Sequence, residues 1–263
     1  MIHRAINRLR QLRIRVLMAR GLSNWREVSA AYSRGAAPPP LRLRTGTVIH
    51  HQPGDSPVFL FLEIFANGCY RRRFGRVGHG AIVDIGANIG MFAIDCATRY
   101  PHARIHAYEP NPATFHTLER NIAANGLADR VRLFNEAVGR RPGLLRLWQS
   151  DGSIAATGYP TADDERSRSL DVPQIDLATV VRRAGGRVGV LKIDAEGAEA
   201  DILEGAPGGV FAGIDQVIGE YHESRVPGVL ARSRAALEAA GFTVDARARL
   251  RSGPLFHARR STA

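Results

Sequence analysis

From Ala81 onward the chain alternates short apolar runs with stretches of helical period. Ala81–Ile85, Arg104–Tyr108, Val131–Asn135, Val188–Ile193 and Ile214–Glu220 are brief and rich in Val, Ile and Leu, which predicts buried strands. Between and after them, Gly90–Arg99, Pro112–Asn125, Ile175–Arg183, Ala198–Leu203 and Val229–Ala240 predict helices. Gly126 and Gly241 follow two of these as stops. A short strand is expected over Gly143–Trp148, and terminal strands over Phe242–Ala248 and Leu255–Ala258. Strands alternating with helices predict a mostly parallel sheet covered on both faces. Ser150–Ser169 is polar and aperiodic, and it reads as a surface loop of the length found in lids and substrate loops.

The front of the chain is less regular. Within residues 2–20, Ile2, Ile6, Leu9, Leu12 and Val16 form an apolar stripe among Arg4, Arg8, Arg10, Arg13 and Arg15. One reading is a basic amphipathic helix on a membrane surface; the plainer and favoured one is a helix packed on the domain. Three consecutive prolines, Pro38–Pro40, break the chain. Leu41–Ile49 suggests a strand or hairpin arm, and Pro57–Tyr70 a helix stopped by Gly68. The division expected is a basic helical extension over residues 1–45 and one domain over 46–263.

Composition narrows this reading modestly. With 263 residues and 44% hydrophobic content, one domain with a small addition fits better than two full domains. The formal net charge is +11, and Lys192 is the only lysine. Such an arginine bias is weak support for an anionic partner. Cys69 and Cys96 offer neither a disulfide framework nor a zinc cluster. No apolar run approaches a membrane span, and no secretory h-region is visible. The expected location is the cytoplasm, with contact at the inner face of the membrane through residues 2–20 as the variant.

Candidate chemistry gathers at strand ends. Asp84 closes the first strand, and Gly86 and Gly90 mark a turn into a helix. Asn88 stands where a dinucleotide fingerprint carries glycine, so close approach to a diphosphate is disfavoured. An adenosine ligand without phosphates fits better, and S-adenosylmethionine is one. Glu109, 25 residues after Asp84 at the next strand end, is placed to accept ribose hydroxyls. Asn111 holds the following turn and joins the expected cofactor contacts. Glu136 and Ala137 follow the third strand, where Glu136 would reach the polar edge of an adenine and Ala137 would leave flat space beside it.

These blocks resemble the FkbM family of S-adenosylmethionine-dependent methyltransferases. The resemblance runs from about Gly46 to about Gly241 and rests on several motifs in order. They are DIGANIG ending at Gly90, Glu109-Pro110, Asn121 with Asn125, and Ala137-Val138-Gly139, followed by Lys192-Ile193-Asp194-Ala195-Glu196-Gly197-Ala198-Glu199 and Glu220 with His222. It implies a class I methyltransferase: a Rossmann-like, seven-stranded, mostly parallel α/β sheet with helices on both faces and one antiparallel strand in its last hairpin. It also implies S-adenosyl-L-methionine as cofactor and a hydroxyl of a sugar, glycolipid or secondary metabolite as acceptor.

At the expected chemical end, Asp194 closes a buried strand and could bind the cofactor's amino group or orient the acceptor. Glu196 is a candidate proton acceptor. Glu199 reads as a helix-dipole partner. Glu220 and His222 share one side of an extended strand end and are candidate substrate contacts. His222, with an ordinary pKa near 6.5, is the favoured base at neutral pH. Asp194, Glu220 and His222 could hold one divalent cation, but no spacing motif supports it and no metal is expected. The expected partner is a small-molecule or glycan acceptor. Methylation of RNA or another nucleic acid is the alternative, yet no RNA-binding signature is present and no stable nucleic-acid partner is expected.

Overall fold

The computed structural model describes residues 2–74, 77–78, 80–149, 156–160, 168–249 and 254–260. Two helices lead, α1 (Ile2–Gly21) and α2 (Trp25–Ser33). Strands β1 (Leu41–Arg42) and β2 (Val48–Ile49) form an antiparallel pair. Helix α3 (Pro57–Leu60) runs on into a π-helical turn over Phe61–Ala66. Wide turns of this kind often occur at functional sites.

The central alternation follows as β3 (Ala81–Ile85), α4 (Met91–Arg99), β4 (Ile105–Tyr108), α5 (Pro112–Ala124) and β5 (Val131–Phe134). Next come β6 (Ala137–Gly139), β7 (Gly143–Gln149), β8 (Ala156–Thr157), β9 (Arg168–Asp176) and α6 (Leu177–Arg183). The chain continues with β10 (Val188–Ile193), α7 (Glu199–Glu204), β11 (Gln216–Glu220), α8 (Val229–Ala239), β12 (Phe242–Arg249) and β13 (Pro254–Arg260).

Seven strands form the main sheet in the order β12-β13-β11-β10-β3-β4-β5. Neighbours from β11 to β5 pair in parallel, and β13 runs antiparallel to both β11 and β12. Side-chain alternation divides the core. Ile82, Ala107, Val190 and Ile218 face a layer containing Met18, Phe61, Ile94 and Leu118. Val83, Leu191, Ile193 and Val217 face Val180, Ile202, Phe211 and Leu237 on the other side. The strand order places the ends of β3, β4, β10 and β11 side by side, which is where open α/β sheets bind ligands.

Three expectations needed correction. Helix α1 forms as expected, but it docks through Ile14 and Met18; Leu9, Leu12 and Val16 of the expected stripe are 67%, 59% and 42% exposed. A helix turns about 100° per residue, so the two sets lie on different faces. Residues 168–176 are a strand, and Asp176 caps α6, so the helix begins at Leu177 rather than Ile175. Pro173 does not exclude a strand there. That strand completes a second sheet, β6-β9-β7-β8, which the sequence pattern did not suggest. Most of the expected 150–169 loop lies outside the described residues, although Ala156–Thr157 and the start of β9 fall within it.

Candidate active site

The loop after β3 is held from below. Asp84 and Lys192 are register partners on adjacent strands, and the Lys192 ammonium lies 3.0 Å from the Asp84 carboxylate. Lys192 Nζ also donates to the Gly86 carbonyl at 2.7 Å. Burial alone would lower the Lys192 pKa, but Asp84 and Asp194 outweigh it and hold the amine above its ordinary range. Gly86 has φ +74°, and a Cβ there would meet the Asp194 carbonyl oxygen at 1.8 Å. The turn is therefore seated against the end of β10 with no room for a side chain.

Asn88 takes φ +52°, the left-handed region that asparagine tolerates. Its N–H donates to Glu109 Oε2 at 2.9 Å, and Asn111 N–H donates to Glu109 Oε1 at 2.9 Å. Burial pushes the Glu109 carboxyl up to about 7, against those two hydrogen bonds. A carboxylate has roughly four lone-pair sites, so acceptor capacity remains on both oxygens. Asn121 ties the turn to the front of the chain: Nδ2 donates to Ile89 O at 2.8 Å and His50 O at 3.0 Å. Asn125 similarly brackets Val48.

A single cavity runs from this turn to the ends of β10 and β6. Of the residues singled out by sequence, it is lined by Gly86, Asn88, Glu109, Glu136, Ala137, Asp194 and Glu196. Lys192 of the sequence motif also lines it, with its amine 3.6 Å from Asp194, and the structure adds Tyr70 and Phe92 from the main domain and Leu145 and Leu147 from the second sheet. Glu136 is paired with Arg183, whose guanidinium also lies 5.0 Å from the Phe134 ring.

Asp84, Gly90, Asn111, Glu220 and His222 do not line that cavity. The Asp84 side chain is fully buried behind the turn, committed to Lys192. Gly90 starts α4 in a left-handed conformation, against Leu118. The Asn111 side chain accepts from Ala113 N at 3.0 Å, capping α5. These three build the cavity from outside it.

Glu220 and His222 instead form a charged cluster beyond Asp194. One ligand atom each of Asp194, Glu220 and His222 lies within 4.8 Å of the others. His222 Nε2 is 3.5 Å from Glu196 and 3.8 Å from Asp194. Its Nδ1 pairs with Glu199 Oε1 at 2.9 Å. Glu199 is fully buried and also accepts from Ala195 N and Gly197 N. This hub was missed in the sequence because an acidic residue in a first helical turn looks like an ordinary dipole partner.

Electrostatics corrects the reading of His222. Burial alone would lower its pKa, but the Glu199 hydrogen bond and the nearby Asp194 and Glu196 raise it to about 10. The three carboxylates thus favour the protonated imidazole at neutral pH, which weighs against His222 as the proton acceptor. Burial, then Asp194 and Glu63, push the Glu220 carboxyl up to about 9. Glu196 is also raised, chiefly by burial. Its φ is +49°, a strained value for a side chain this long, and Thr157 Oγ1 pins its carbonyl at 2.8 Å.

The Methyltransferase FkbM domain profile matches residues 84–244. A 31-O-demethyl-FK506 methyltransferase FkbM of Streptomyces tacrolimicus is 30% identical, covering 78% of this chain and 89% of that protein. A hexuronic acid methyltransferase AglP of Haloferax volcanii is 31% identical over 53% of this chain and 54% of that one. The crystal structure of Methyltransferase FkbM from Methylobacillus flagellatus KT shares the fold at 12% identity, with a TM-score of 0.50 over 96% of this chain and 60% of that one. With a Rossmann-like sheet and a family match over most of its length, the chain belongs to the FkbM family of methyltransferases.

Proposed function

We propose that the protein transfers a methyl group from S-adenosylmethionine to a hydroxyl of a sugar, glycolipid or secondary metabolite. The observation that carries this reading is the continuity of one cavity from the Gly86–Asn88 turn and Glu109 to Asp194 and Glu196. The residues fit the cofactor. Glu109 offers carboxylate lone pairs for two ribose hydroxyls, and Ala137 leaves flat space by an adenine ring. Backbone groups of the turn and Asp194 suit an amino-acid end. Bound there, the cofactor supplies an electrophilic methyl on a sulfonium.

The chain's own residues then have limited tasks. They hold the acceptor oxygen in line and accept its proton as attack develops. Glu196 takes that proton on a carboxylate oxygen, its raised pKa making it a better base than an ordinary glutamate. Asp194 orients the acceptor, with Tyr70 Oη donating to it at 3.3 Å. Cationic His222 holds Asp194 and Glu196 together and offsets their mutual repulsion. Acceptors named for the relatives, an FK506 derivative and a hexuronic acid, support a small hydroxylated molecule.

The test is transfer of a radiolabelled methyl group to a panel of glycans and hydroxylated metabolites. Labelled product with equimolar S-adenosylhomocysteine is expected. Label appearing only on RNA, or on no member of a broad panel while the cofactor binds, would reject the hydroxyl acceptor.

A further inference from the structure

A second cavity, of about 820 Å³, lies on the other side of the π-helical turn. The two cavities share the Glu63 side chain, and successive residues divide between them: Cys69 lines the second and Tyr70 the first. Among the described residues, five arginines line this second space: Arg10 and Arg13 from α1, Arg72 and Arg73 after the π-helical segment, and Arg259 from β13. Glu63 and Asp245 are its acidic lining residues. Three elements distant in sequence thus bring five arginines and two acidic residues to one volume, and the excess there is positive.

Few of these cations are neutralised. The ion pairs among the described residues include none made by Arg10, Arg13, Arg72, Arg73 or Arg259. Arginines elsewhere behave differently: Arg140 and Arg232 share Asp201 and Glu204, and Arg183 takes Glu136. The field is felt by His257, which lines the same cavity. Burial, then Arg259 and Arg73, lower its pKa to about 4, with only Asp245 opposing. Guanidiniums without a carboxylate partner around a concave space suit phosphate oxygens, which accept N–H bonds from the fork. Arg259 already donates to the Arg73 carbonyl at 2.6 Å and to His257 Nε2 at 3.3 Å, so the other four arginines carry most of this capacity. A single carboxylate has too few oxygens and too little charge to answer five of them.

We propose that this arginine-lined cavity binds the phosphate or diphosphate group of the methyl acceptor. The inference rests on the methyltransferase reading for the word acceptor, but its binding claim stands apart from it. Glu63 lines both cavities, so a phosphate anchored in the second would hold the rest of the acceptor next to the cavity of Asp194 and Glu196. Ile14, Leu17, Phe59 and Leu62 supply an apolar wall to the same cavity, so both sugar phosphates and prenyl phosphates fit its chemistry.

Titration calorimetry on the full chain tests this, with inorganic pyrophosphate and S-adenosylhomocysteine as separate probes. Wild-type protein should bind pyrophosphate. Arg72→Gln/Arg73→Gln should weaken that binding roughly tenfold or more, as expected for charge-assisted hydrogen bonds lost. Arg13→Gln, at an exposed position of α1 on the cavity rim, should weaken it with less demand on folding. Arg34→Gln/Arg120→Gln removes the same charge elsewhere and should change little. S-adenosylhomocysteine affinity should stay the same in all three variants. Glucose 1-phosphate and geranyl diphosphate, titrated next, tell a sugar from a lipid source; tighter binding of either than of inorganic phosphate supports the assignment. Absent pyrophosphate binding, or equal weakening by the remote pair, would overturn it, as would binding to anionic lipid vesicles without binding to free pyrophosphate. Failure of S-adenosylhomocysteine to bind wild-type protein would instead count against the methyltransferase reading.

Discussion

At the turn end of the first cavity, Glu109 accepts from two main-chain N–H groups. Just beyond its other end, Asp194, Glu196 and Glu220 crowd around His222. The first arrangement is made by backbone, so the carboxylate's position depends little on its neighbours' protonation. The second is made by side chains from the end of β11, the residues just after it and the loop between β10 and α7, and each group's charge depends on the others. Under the proposed function this is a division of labour: a rigid acceptor of hydrogen bonds where the cofactor would be recognised, and a coupled set of titratable groups where a proton would be moved.

The most severe break in this division should come from the coupled end. Glu196→Gln is expected to slow methyl transfer by roughly a hundredfold or more, the usual cost of a lost general base. S-adenosylhomocysteine affinity should barely change. If Glu196→Gln retains full turnover and Asp194→Asn loses it, the base is Asp194. Glu109→Ala should do the reverse: cofactor binding weaker by roughly 1.5–3 kcal/mol, with the folded state intact by circular dichroism.

The pH dependence sharpens the contrast further. A glutamate base must be ionised, so the rate falls as pH drops through the Glu196 pKa, which lies above the ordinary glutamate value. It falls again as His222 loses its proton near 10, rather than rising near neutrality as a free histidine base would demand. Stability carries the same sign for three groups. His222 is raised from 6.5 to about 10, so its contribution is complete below 6.5 and lost as pH rises through 10. Glu109 and Glu220, raised from 4.5 to about 7 and about 9, likewise lose theirs on alkalisation. Melting temperature should therefore decline from mildly acidic to alkaline pH, and His222→Gln should flatten the decline above 6.5. The smallest effect is expected at Asn111. Asn111→Ala should cost about 1 kcal/mol of stability as a lost helix cap, with a normal rate at saturating cofactor.

The turn end was legible in the sequence because its signal is local. Glycines, an asparagine able to take positive φ and two strand-end acids fall in one supersecondary unit, and their spacing implies the geometry. The charged end was legible only as a list of residues. That Glu199 is the buried hub, and that His222 favours its protonated form, depends on α7 folding back beside the end of β11, which no spacing encodes. Asp84 shows the converse limit. Its place at the strand end was read correctly, but the side chain faces Lys192 across the sheet because residues 84 and 192 are register partners. The second sheet escaped notice for a similar reason: β9 carries Pro173 and a largely polar pattern, and its stability comes from pairing with β7 and β6. In α1 the apolar residues outnumber what docking requires, so the stripe alone did not reveal that Ile14 and Met18 face the core.

On the proposed function, the Gly86–Asn88 turn and Glu109 form the binding end for a sulfur-containing adenosine cofactor. Calorimetric titration of the wild-type chain with S-adenosylmethionine, S-adenosylhomocysteine and NAD tests it most directly, with Glu109→Ala alongside. The account predicts heat from both sulfur compounds at one site per chain, none from NAD, and a loss of affinity in the variant. Binding of NAD with no response to either sulfur compound, in protein that remains folded, would contradict it.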